Sequence, residues 1–384
     1  MDIYKFINSE STDCEFKLMV NRDKPKNWLK CVSAFANTCG GTMYFGVDDD
    51  HDVVGVYDPQ DDIEYISQTI HDRIDPVPRY SISTIERDGK IVIALEVQPS
   101  KHVPHYYQAD GRREVFVRNG DRSEQASTEH LNDLILKGTH QTWDALDSGI
   151  PVDRGSFSVL KSSFAFRTGK SMEESDLASF GLLTADGNYL TNAGALLADE
   201  PLMRHSRIFC TRWTGNFKDN PVDDAEFTGN LLVLLREAEA FIKRHNIMSW
   251  EKKPTHRVEY RCYSERAITE ALVNALVHRS YIELGSEIHV DIYDDRLTIS
   301  SPGEMPHGNL PADVVSQAVE SHRRNPVVAD VFGRMHLMER RGSGLREICL
   351  ATAAEATYKP EFKPRFENAG GIFRVVLANM KYEG

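Results

Sequence analysis

The sequence reads ESTDCEFK at residues 10–17 and SAFANTCGGTMYFGVDDD at residues 33–50, and these two stretches decide the fold of the amino-terminal region. Residues 15–19 are typical of a short strand. Apolar residues then recur at helical spacing, which predicts a helix with one buried face. Gly40 and Gly41 end this helix, because glycine adopts the left-handed conformation at no steric cost. Residues 42–47 form a second strand, which runs into three aspartates.

Acidic side chains flank both predicted strands. If the strands are neighbours, three carboxylates converge at one edge of the sheet: Glu10, Glu15, and one of the adjacent Asp48 and Asp49. Three such groups suit Mg²⁺ or Mn²⁺, which prefer hard oxygen ligands. Lys17 lies on the same face as Glu15 because side chains alternate along a strand, and a cation there suits phosphate chemistry. Residue types alone leave an alternative open, in which the aspartates form a solvated hairpin turn and Glu10 and Lys17 are surface residues.

The sequence of this region resembles the AlbA-like domain of the Schlafen family. The shared pattern is ES-x-x-x-EFK, AFANT-x-GG and FGV-D, and the resemblance extends over roughly residues 8–135. It implies a metal-dependent ribonuclease site, with Glu10, Glu15, and Asp48 or Asp49 as ligands and catalytic groups. Many bacterial relatives are described as nucleic-acid-binding regulators, and family analogy places such proteins near antiviral or stress functions.

Composition and charge limit the partners. The 384 residues carry a net charge of −13, which argues against a general nucleic-acid coat, because phosphate binding needs positive charge. Locally basic stretches nevertheless predict a nucleic-acid contact surface, and its candidate residues are Lys24, Lys26, Arg112, Arg113 and Arg118. This balance favours a structured RNA over DNA. The six cysteines lack CxxC spacing, and no apolar run is long enough for a membrane span, so we expect a cytoplasmic protein with reduced thiols and no membrane contact.

Three regions are expected in an α+β chain. The first, residues 1–138, is the AlbA-like domain, closed by a helix at residues 128–136 with Thr128 as its N-cap. A linking α/β region follows at residues 139–250, with a strand at 207–213 and a helix at 231–244. The third region, residues 251–384, is a separate α/β sandwich.

The third region contains a second set of motifs. It reads ERAITEALVNALVHRSY at 265–281, ISSPGEMP at 299–306, RNP at 324–326 and RRGSGLREI at 340–348. Glu270 and Asn274 are four residues apart, which places both side chains on one face of a helix. In order and spacing these motifs resemble the divergent GHKL (Bergerat-like) ATPase fold of gyrase, histidine kinases and MutL.

This second resemblance implies a nucleotide site. Asn274 would hold Mg²⁺ between phosphates, and Glu270 would orient the attacking water. Three glycines complete the cofactor-binding set: Gly303 in the PG-x-x-P motif, and Gly342 and Gly344 in a loop that offers backbone N–H groups to phosphate. One position departs from the family, because Ser301 stands where the group has its adenine-reading aspartate. The alternative is an inherited scaffold, in which the polar side chains bond internally and mediate dimer contacts.

Together the two resemblances favour a metal-dependent endoribonuclease that acts on structured, tRNA-like RNA. The first alternative is a nucleic-acid-binding transcriptional regulator whose last domain senses a nucleotide. The second is an ATPase with the first domain as its substrate adaptor. A single Schlafen-like lobe is small, so we expect a homodimer to complete the RNA groove.

Overall fold

A computed structural model describes residues 12–48, 50–247, 249–252, 257–305, 314–315, 323–339 and 342–382. The chain divides into two compact units, Met1–Gln141 and Thr142–Gly384. Helices account for 34% and strands for 28% of the residues, and the two kinds of element are mixed in both units. The expected α+β class is therefore confirmed.

The first unit contains two four-stranded sheets, in the orders β1-β2-β5-β4 and β3-β6-β7-β8. The strands are β1 (Cys14–Lys17), β2 (Gly41–Phe45), β3 (Ile74–Asp75), β4 (Tyr80–Arg87), β5 (Lys90–Val97), β6 (Tyr106–Ala109), β7 (Arg112–Asn119) and β8 (Arg122–Gln125). The helices are α1 (Lys26–Asn37), α2 (Pro59–Arg73) and α3 (Thr128–Gly138). The predicted neighbours β1 and β2 pair in parallel, with Glu15 opposite Met43.

The two glycines after α1 have different physical roles. Gly40 has a positive φ of 79°, as the predicted end of the helix requires. Gly41 is limited by space instead, since a methyl group there would lie 2.4 Å from the Phe35 ring. The absence of a side chain at Gly41 therefore lets β2 begin in contact with the buried Phe35 ring.

Asn37 joins α1 to the second sheet. Its Nδ2 donates to the carbonyl oxygens of His105 and Phe116, both at 3.0 Å, and its Oδ1 accepts from the backbone N–H of His105 at 2.7 Å. All three bonds are buried, where unpaired polar groups are costly. The asparagine of the AFANT motif therefore fixes β7 beside the helix.

One predicted cap is wrong by a single residue. Ser127, rather than Thr128, is the N-cap of α3, and its side chain accepts from the backbone N–H of His130. Serine and threonine are both suitable N-cap residues, so only the backbone conformation shows which of the two is the cap.

The second unit is built on a six-stranded sheet in the order β12-β11-β15-β16-β18-β17. Its strands are β9 (Asp147–Pro151), β10 (Tyr189–Thr191), β11 (Arg207–Trp213), β12 (Pro221–Thr228), β13 (Ser249–Lys252), β14 (Arg257–Tyr260), β15 (Ile288–Ile292), β16 (Arg296–Pro302), β17 (Arg365–Ala369) and β18 (Ile372–Ala378). Its helices are α4 (Ser158–Thr168), α5 (Glu174–Ser179), α6 (Asn192–Leu197), α7 (Leu231–His245), α8 (Glu265–His278), α9 (Pro326–Arg334) and α10 (Gly344–Ala353). Two further sheets of two strands each pair β9 with β10 and β13 with β14.

The expected boundary near residue 250 does not separate compact units. β11 pairs in parallel with β15, with Ile208 opposite Ile288, so the middle region contributes strands to the sheet of the last region. One apolar cluster extends from Phe157 to Leu377. The linking region and the ATPase-like region are therefore one unit, because they share both a sheet and a core.

No helix in the described part of the chain is both long enough and apolar enough to cross a membrane.

Candidate functional site

The site of the first unit begins at Glu15. β1 is an edge strand of its sheet, and alternation places the side chains of Glu15 and Lys17 on one face. Lys17 Nζ donates to Glu15 Oε1 at 2.6 Å, so the predicted adjacency of acid and cation is present. The carboxylate is almost entirely buried, whereas the lysine side chain is 28% exposed.

A second cation holds the other oxygen of Glu15. Arg118 Nη1, on β7, donates to Glu15 Oε2 at 2.7 Å across 103 residues of sequence. The Arg118 side chain has no exposed surface. In this structure the arginine that we predicted as a nucleic-acid contact therefore faces the carboxylate and not the solvent.

The two cations control the protonation of Glu15. Burial favours the neutral carboxyl group, but the hydrogen bonds and charges of Lys17 and Arg118 outweigh it and hold the pKa of Glu15 below its usual value. Glu15 is therefore an anion at neutral pH, in a place where an unpaired charge would be unfavourable.

The loop after β2 lies at the end of β1. The backbone N–H groups of Gly46 and Val47 both donate to the carbonyl oxygen of Lys17, at 2.8 and 3.2 Å. Asp48 Oδ1 accepts from the backbone N–H groups of Asp50 and Asp52, at 3.1 and 2.8 Å. Asp48 therefore organises the turn, which is the structural role that the residue types left open.

In the second unit, the side chains of Glu270 and Asn274 lie next to Gly344, the first residue of α10. A methyl group at Gly344 would lie 2.7 Å from Asn274 Nδ2 and 2.9 Å from Glu270 Oε1. Glu270 is buried, and its nearest described cation is Arg266, at 3.8 Å. Burial raises the pKa of the Glu270 carboxyl group, against the opposing charge of Arg266. Glu270, Asn274 and Gly344, which we assigned to one nucleotide site, thus lie close together. Gly342, with a φ of 73°, begins the turn into α10.

Two residues near the PG-x-x-P motif, Ser301 and Arg324, form hydrogen bonds within the protein. Ser301 is buried, and its Oγ donates to the carbonyl oxygen of Ala275 at 2.9 Å. Arg324 Nη2 donates to the carbonyl oxygen of Glu304 at 2.8 Å. The same guanidinium packs onto Gly303, where a methyl group would come within 1.5 Å of Arg324 Nη1. At these positions a neutral hydroxyl group is bonded to the backbone, and the Arg324 side chain occupies the space beside Gly303.

Comparison with known families agrees with these two sets of motifs. The sequence model of the family described as "Schlafen, AlbA_2" matches residues 10–127. Residues 10–127 form a Schlafen AlbA_2 domain. The model described as "Putative ATP-dependent DNA helicase recG C-terminal", an HATPase family, matches residues 285–377. No curated protein sequence matches the chain.

One solved structure has a similar fold. The DIP2311 protein from Corynebacterium diphtheriae aligns with a TM-score of 0.53 at 20% identity, over 96% of this chain and 75% of that one. A second structure is the N-terminal domain of a RecG-related protein from Nitrosomonas europaea, described as a putative ATP-dependent DNA helicase. It aligns with a TM-score of 0.25 at 22% identity, over 32% of this chain and 88% of that one.

The Schlafen AlbA_2 domain offers a donor suited to a hard divalent ion, because Glu15 presents carboxylate oxygen. Two of the predicted ligands, Glu10 and Asp49, lie outside the described residues. Among the residues that the structure does describe, no three His, Cys, Asp or Glu side chains gather closely enough to hold a metal ion. Glu15 fits such an ion in chemistry, and of the two predicted carboxylates that the structure describes, Glu15 and Asp48, it is the buried one.

The predicted basic surface of the Schlafen AlbA_2 domain is partly neutralised. Lys26 Nζ lies 2.5 Å from Glu114 Oε2, and Arg113 Nη2 lies 2.8 Å from Asp75 Oδ2. Arg113 also lies 4.1 Å above the centre of the Tyr106 ring. Lys24 and Arg112 are exposed. Four of the five predicted contacts are therefore on the surface, and Arg118 is the exception.

The sequence indicated that Arg118 contacts either a phosphate or a carboxylate, and did not identify Glu15 as that carboxylate. The partnership of Arg118 with Glu15 spans two sheets, and no local pattern reports such a contact. Arg324 was noted only as part of the RNP motif, although its position against Gly303 decides how much space is left there.

Proposed function

We propose that the chain acts on nucleic acid, and that its Schlafen AlbA_2 domain is a metal-dependent endoribonuclease for structured RNA such as tRNA. The observation that supports this most directly is the state of Glu15: a buried carboxylate, ionised and held between Lys17 and Arg118. A buried charge without a function is costly to keep, and perturbed carboxylates cluster at functional sites. The family match to residues 10–127 includes both Glu10 and Glu15.

The roles of the residues follow from their chemistry. A divalent ion, when bound by Glu15 with Glu10 and either Asp48 or Asp49, would polarise the phosphodiester and lower the pKa of a water molecule. Lys17 is partly exposed beside Glu15, where its ammonium group would stabilise negative charge on a phosphate oxygen. Glu15 keeps its place on β1 because both of its oxygens are already hydrogen-bonded.

The substrate would bind across the surface that carries Lys24, Lys26, Arg112 and Arg113. Two of these cations have carboxylate partners in the protein, which weakens nonspecific attraction and favours an RNA whose shape matches the surface. We further propose a cytoplasmic homodimer, in which a second copy extends the groove. A molar mass of one chain by light scattering, at the concentration of the cleavage assay, would contradict the dimer.

A cleavage assay tests the enzyme. Purified full-length protein is mixed with tRNA and Mn²⁺, and the same is done for Glu15→Gln and for the matched control Glu64→Gln, which changes an exposed glutamate on α2. We expect cleavage by the wild type and by Glu64→Gln, and a loss of at least about 100-fold in Glu15→Gln, as is usual when a group essential to the chemistry is removed. Equal activity of wild type and Glu15→Gln would refute the proposal.

The second candidate function is a nucleic-acid-binding regulator without cleavage. One observation favours it: both oxygens of Glu15 are already paired with cations, so a metal ion would have to compete with Lys17 for Oε1. This reading predicts binding of RNA or a promoter fragment that weakens steeply with salt, no product with Mn²⁺, and unchanged affinity in Glu15→Gln.

A further inference from the structure

The guanidinium group of Arg118 forms several hydrogen bonds within the first unit. Nη1 donates to Glu15 Oε2 at 2.7 Å and to Ser123 Oγ at 3.1 Å. Nε donates to the carbonyl oxygen of Thr12 at 3.2 Å, and Nη2 to that of Cys14 at 3.3 Å. The plane of the group lies over the Phe35 ring, 5.0 Å from its centre. Each edge of the guanidinium fork is thus fixed to a different part of β1 and its surroundings.

We propose that Arg118 is a positioning residue: it holds the Glu15 carboxylate in the geometry that the site requires and does not itself contact RNA. This inference rests on the proposed function, because it assigns the purpose of a buried ion pair at that same site. It also differs from the expectation that Arg118 contacts phosphate as Arg112 and Arg113 do.

The two oxygens of Glu15 are treated differently. Oε2 accepts a hydrogen bond from Arg118, whose side chain is completely buried. Oε1 accepts one from Lys17, whose side chain is 28% exposed. An arginine fork is rigid and planar, whereas a lysine reaches its partner on a flexible stem. Arg118 therefore fixes the carboxylate, and Oε1 is the oxygen that remains at the exposed side of the pair.

The anchor also joins two sheets. β1 belongs to the first sheet and β7 to the second. Arg118 donates to the backbone carbonyl oxygens of Thr12 and Cys14, which precede Glu15, and to the Glu15 carboxylate. Because the contacts hold the start of β1 as well as the carboxylate, a small displacement of Arg118 would move the whole edge strand. Misplacement of a reacting group by about 1 Å can cost about 100-fold in rate.

The test compares Arg118→Gln and Arg118→Lys with wild type, in the full-length protein. Arg87→Gln is the matched control, because Arg87 is a partly exposed arginine at the end of β4 whose carboxylate neighbour, Asp88, is 4.0 Å away. Three quantities are measured: turnover of tRNA with Mn²⁺, Mn²⁺ affinity by titration calorimetry, and tRNA affinity without metal as a function of salt.

We expect Arg118→Gln to lose about 10- to 100-fold in turnover or in Mn²⁺ affinity, as partners of ligating groups usually do. Arg118→Lys should recover part of this loss, since it restores the charge but not the fork. The tRNA affinity and its salt dependence should equal those of wild type and of Arg87→Gln. In a Glu15→Gln background, Arg118→Gln should cause no further loss of Mn²⁺ affinity, because the two residues act as one unit.

Other results overturn the inference. A weaker tRNA affinity with a salt slope reduced by about one would make Arg118 a phosphate contact. Turnover and Mn²⁺ affinity equal to wild type in both variants would remove any positioning role. If Arg118→Gln does not fold, Arg118→Lys carries the same comparison. Loss of cleavage in Glu15→Gln together with unchanged Arg118 variants would reject this inference alone, whereas full activity in Glu15→Gln would reject the proposed function as well.

Discussion

Glu15 keeps its charge inside the protein, and this links the stability of the fold to pH. The pKa of the folded carboxyl group is lowered by Lys17 and Arg118, which outweigh burial, whereas an unfolded glutamate titrates near about 4.3. The folded state therefore gains stability above that pH and loses it as the pH falls through the lowered pKa.

We predict a pH-dependent difference between wild type and Glu15→Gln. The wild type should be more stable at pH 7, and its advantage should shrink as the pH drops below about 4, where the ionised form is lost. Urea unfolding at a series of pH values between 7 and 3 measures this, with Glu64→Gln as the control. A difference that stays constant over this range would mean that the charge of Glu15 contributes nothing.

Gly41 provides a second test at the level of one residue. Alanine at this position would place its methyl group 2.4 Å from the Phe35 ring and 2.9 Å from the carbonyl oxygen of Asp13. Forcing extra atoms into a packed core costs about 1–3 kcal/mol, so we expect Gly41→Ala to lower the free energy of unfolding by that amount. Gly155→Ala should cost less, because Gly155 has an ordinary φ of −122° and the nearest atom to an added methyl group is the end of the Leu190 side chain, at 3.0 Å. Equal losses in thermal unfolding would rule out the steric explanation.

Single residues near one another in sequence were the most predictable part of the site. The pairing of Glu15 with Lys17 follows from strand alternation alone, and the structure has it at 2.6 Å. Arg118 could not be placed this way, since its partner is 103 residues distant. Asp48 was ambiguous for another reason: a short acidic side chain suits both a metal ligand and a turn, and the residue type does not distinguish them.

Among the elements, α9 shows how a helix end can be capped from a distant part of the chain. Asn325 occupies the N-cap position of α9 but makes no side-chain cap bond. Its Nδ2 donates instead to the carbonyl oxygens of Val277 and Arg279, both at 2.9 Å, at the end of α8. Asp144 replaces it: Oδ2 accepts from the backbone N–H groups of Val327 and Val328, at 2.7 and 3.0 Å. The RNP motif therefore joins two helices, which a reading of local cap signals cannot reveal.

Removal of this distant cap should destabilise the second unit. Asp144 is completely buried, and alanine there would leave two backbone N–H groups of α9 without a partner. We expect Asp144→Ala to cost about 1–2 kcal/mol. Asp144→Asn keeps an acceptor oxygen and should cost less. Chemical denaturation of the three proteins at pH 7 gives the comparison, and an Asp144→Ala protein as stable as wild type would exclude a capping role.

For the whole molecule, strand pairing defines the compact units, and the positions of the motifs do not. The first unit ends at Gln141, three residues after the expected end, because its sheets and apolar clusters are complete by then. The boundary expected at residue 250 was placed just before the first motif that resembles the ATPase fold. Motifs report the location of a site, whereas a compact unit is defined by which strands pair, and β11 pairs with β15 across about 80 residues.

This architecture predicts which fragments fold. Residues 1–141 contain two complete sheets and their own buried clusters, so they should give a cooperative thermal transition alone. Residues 142–384 should also fold. Residues 251–384 should not, because they lack β11, β12 and α7, whose buried side chains, such as Leu234 and Phe241, belong to the same core. Circular dichroism melts and amide NMR dispersion of the three fragments test this. A cooperative transition in residues 251–384 would show that the ATPase-like region is independent of the strands that precede it.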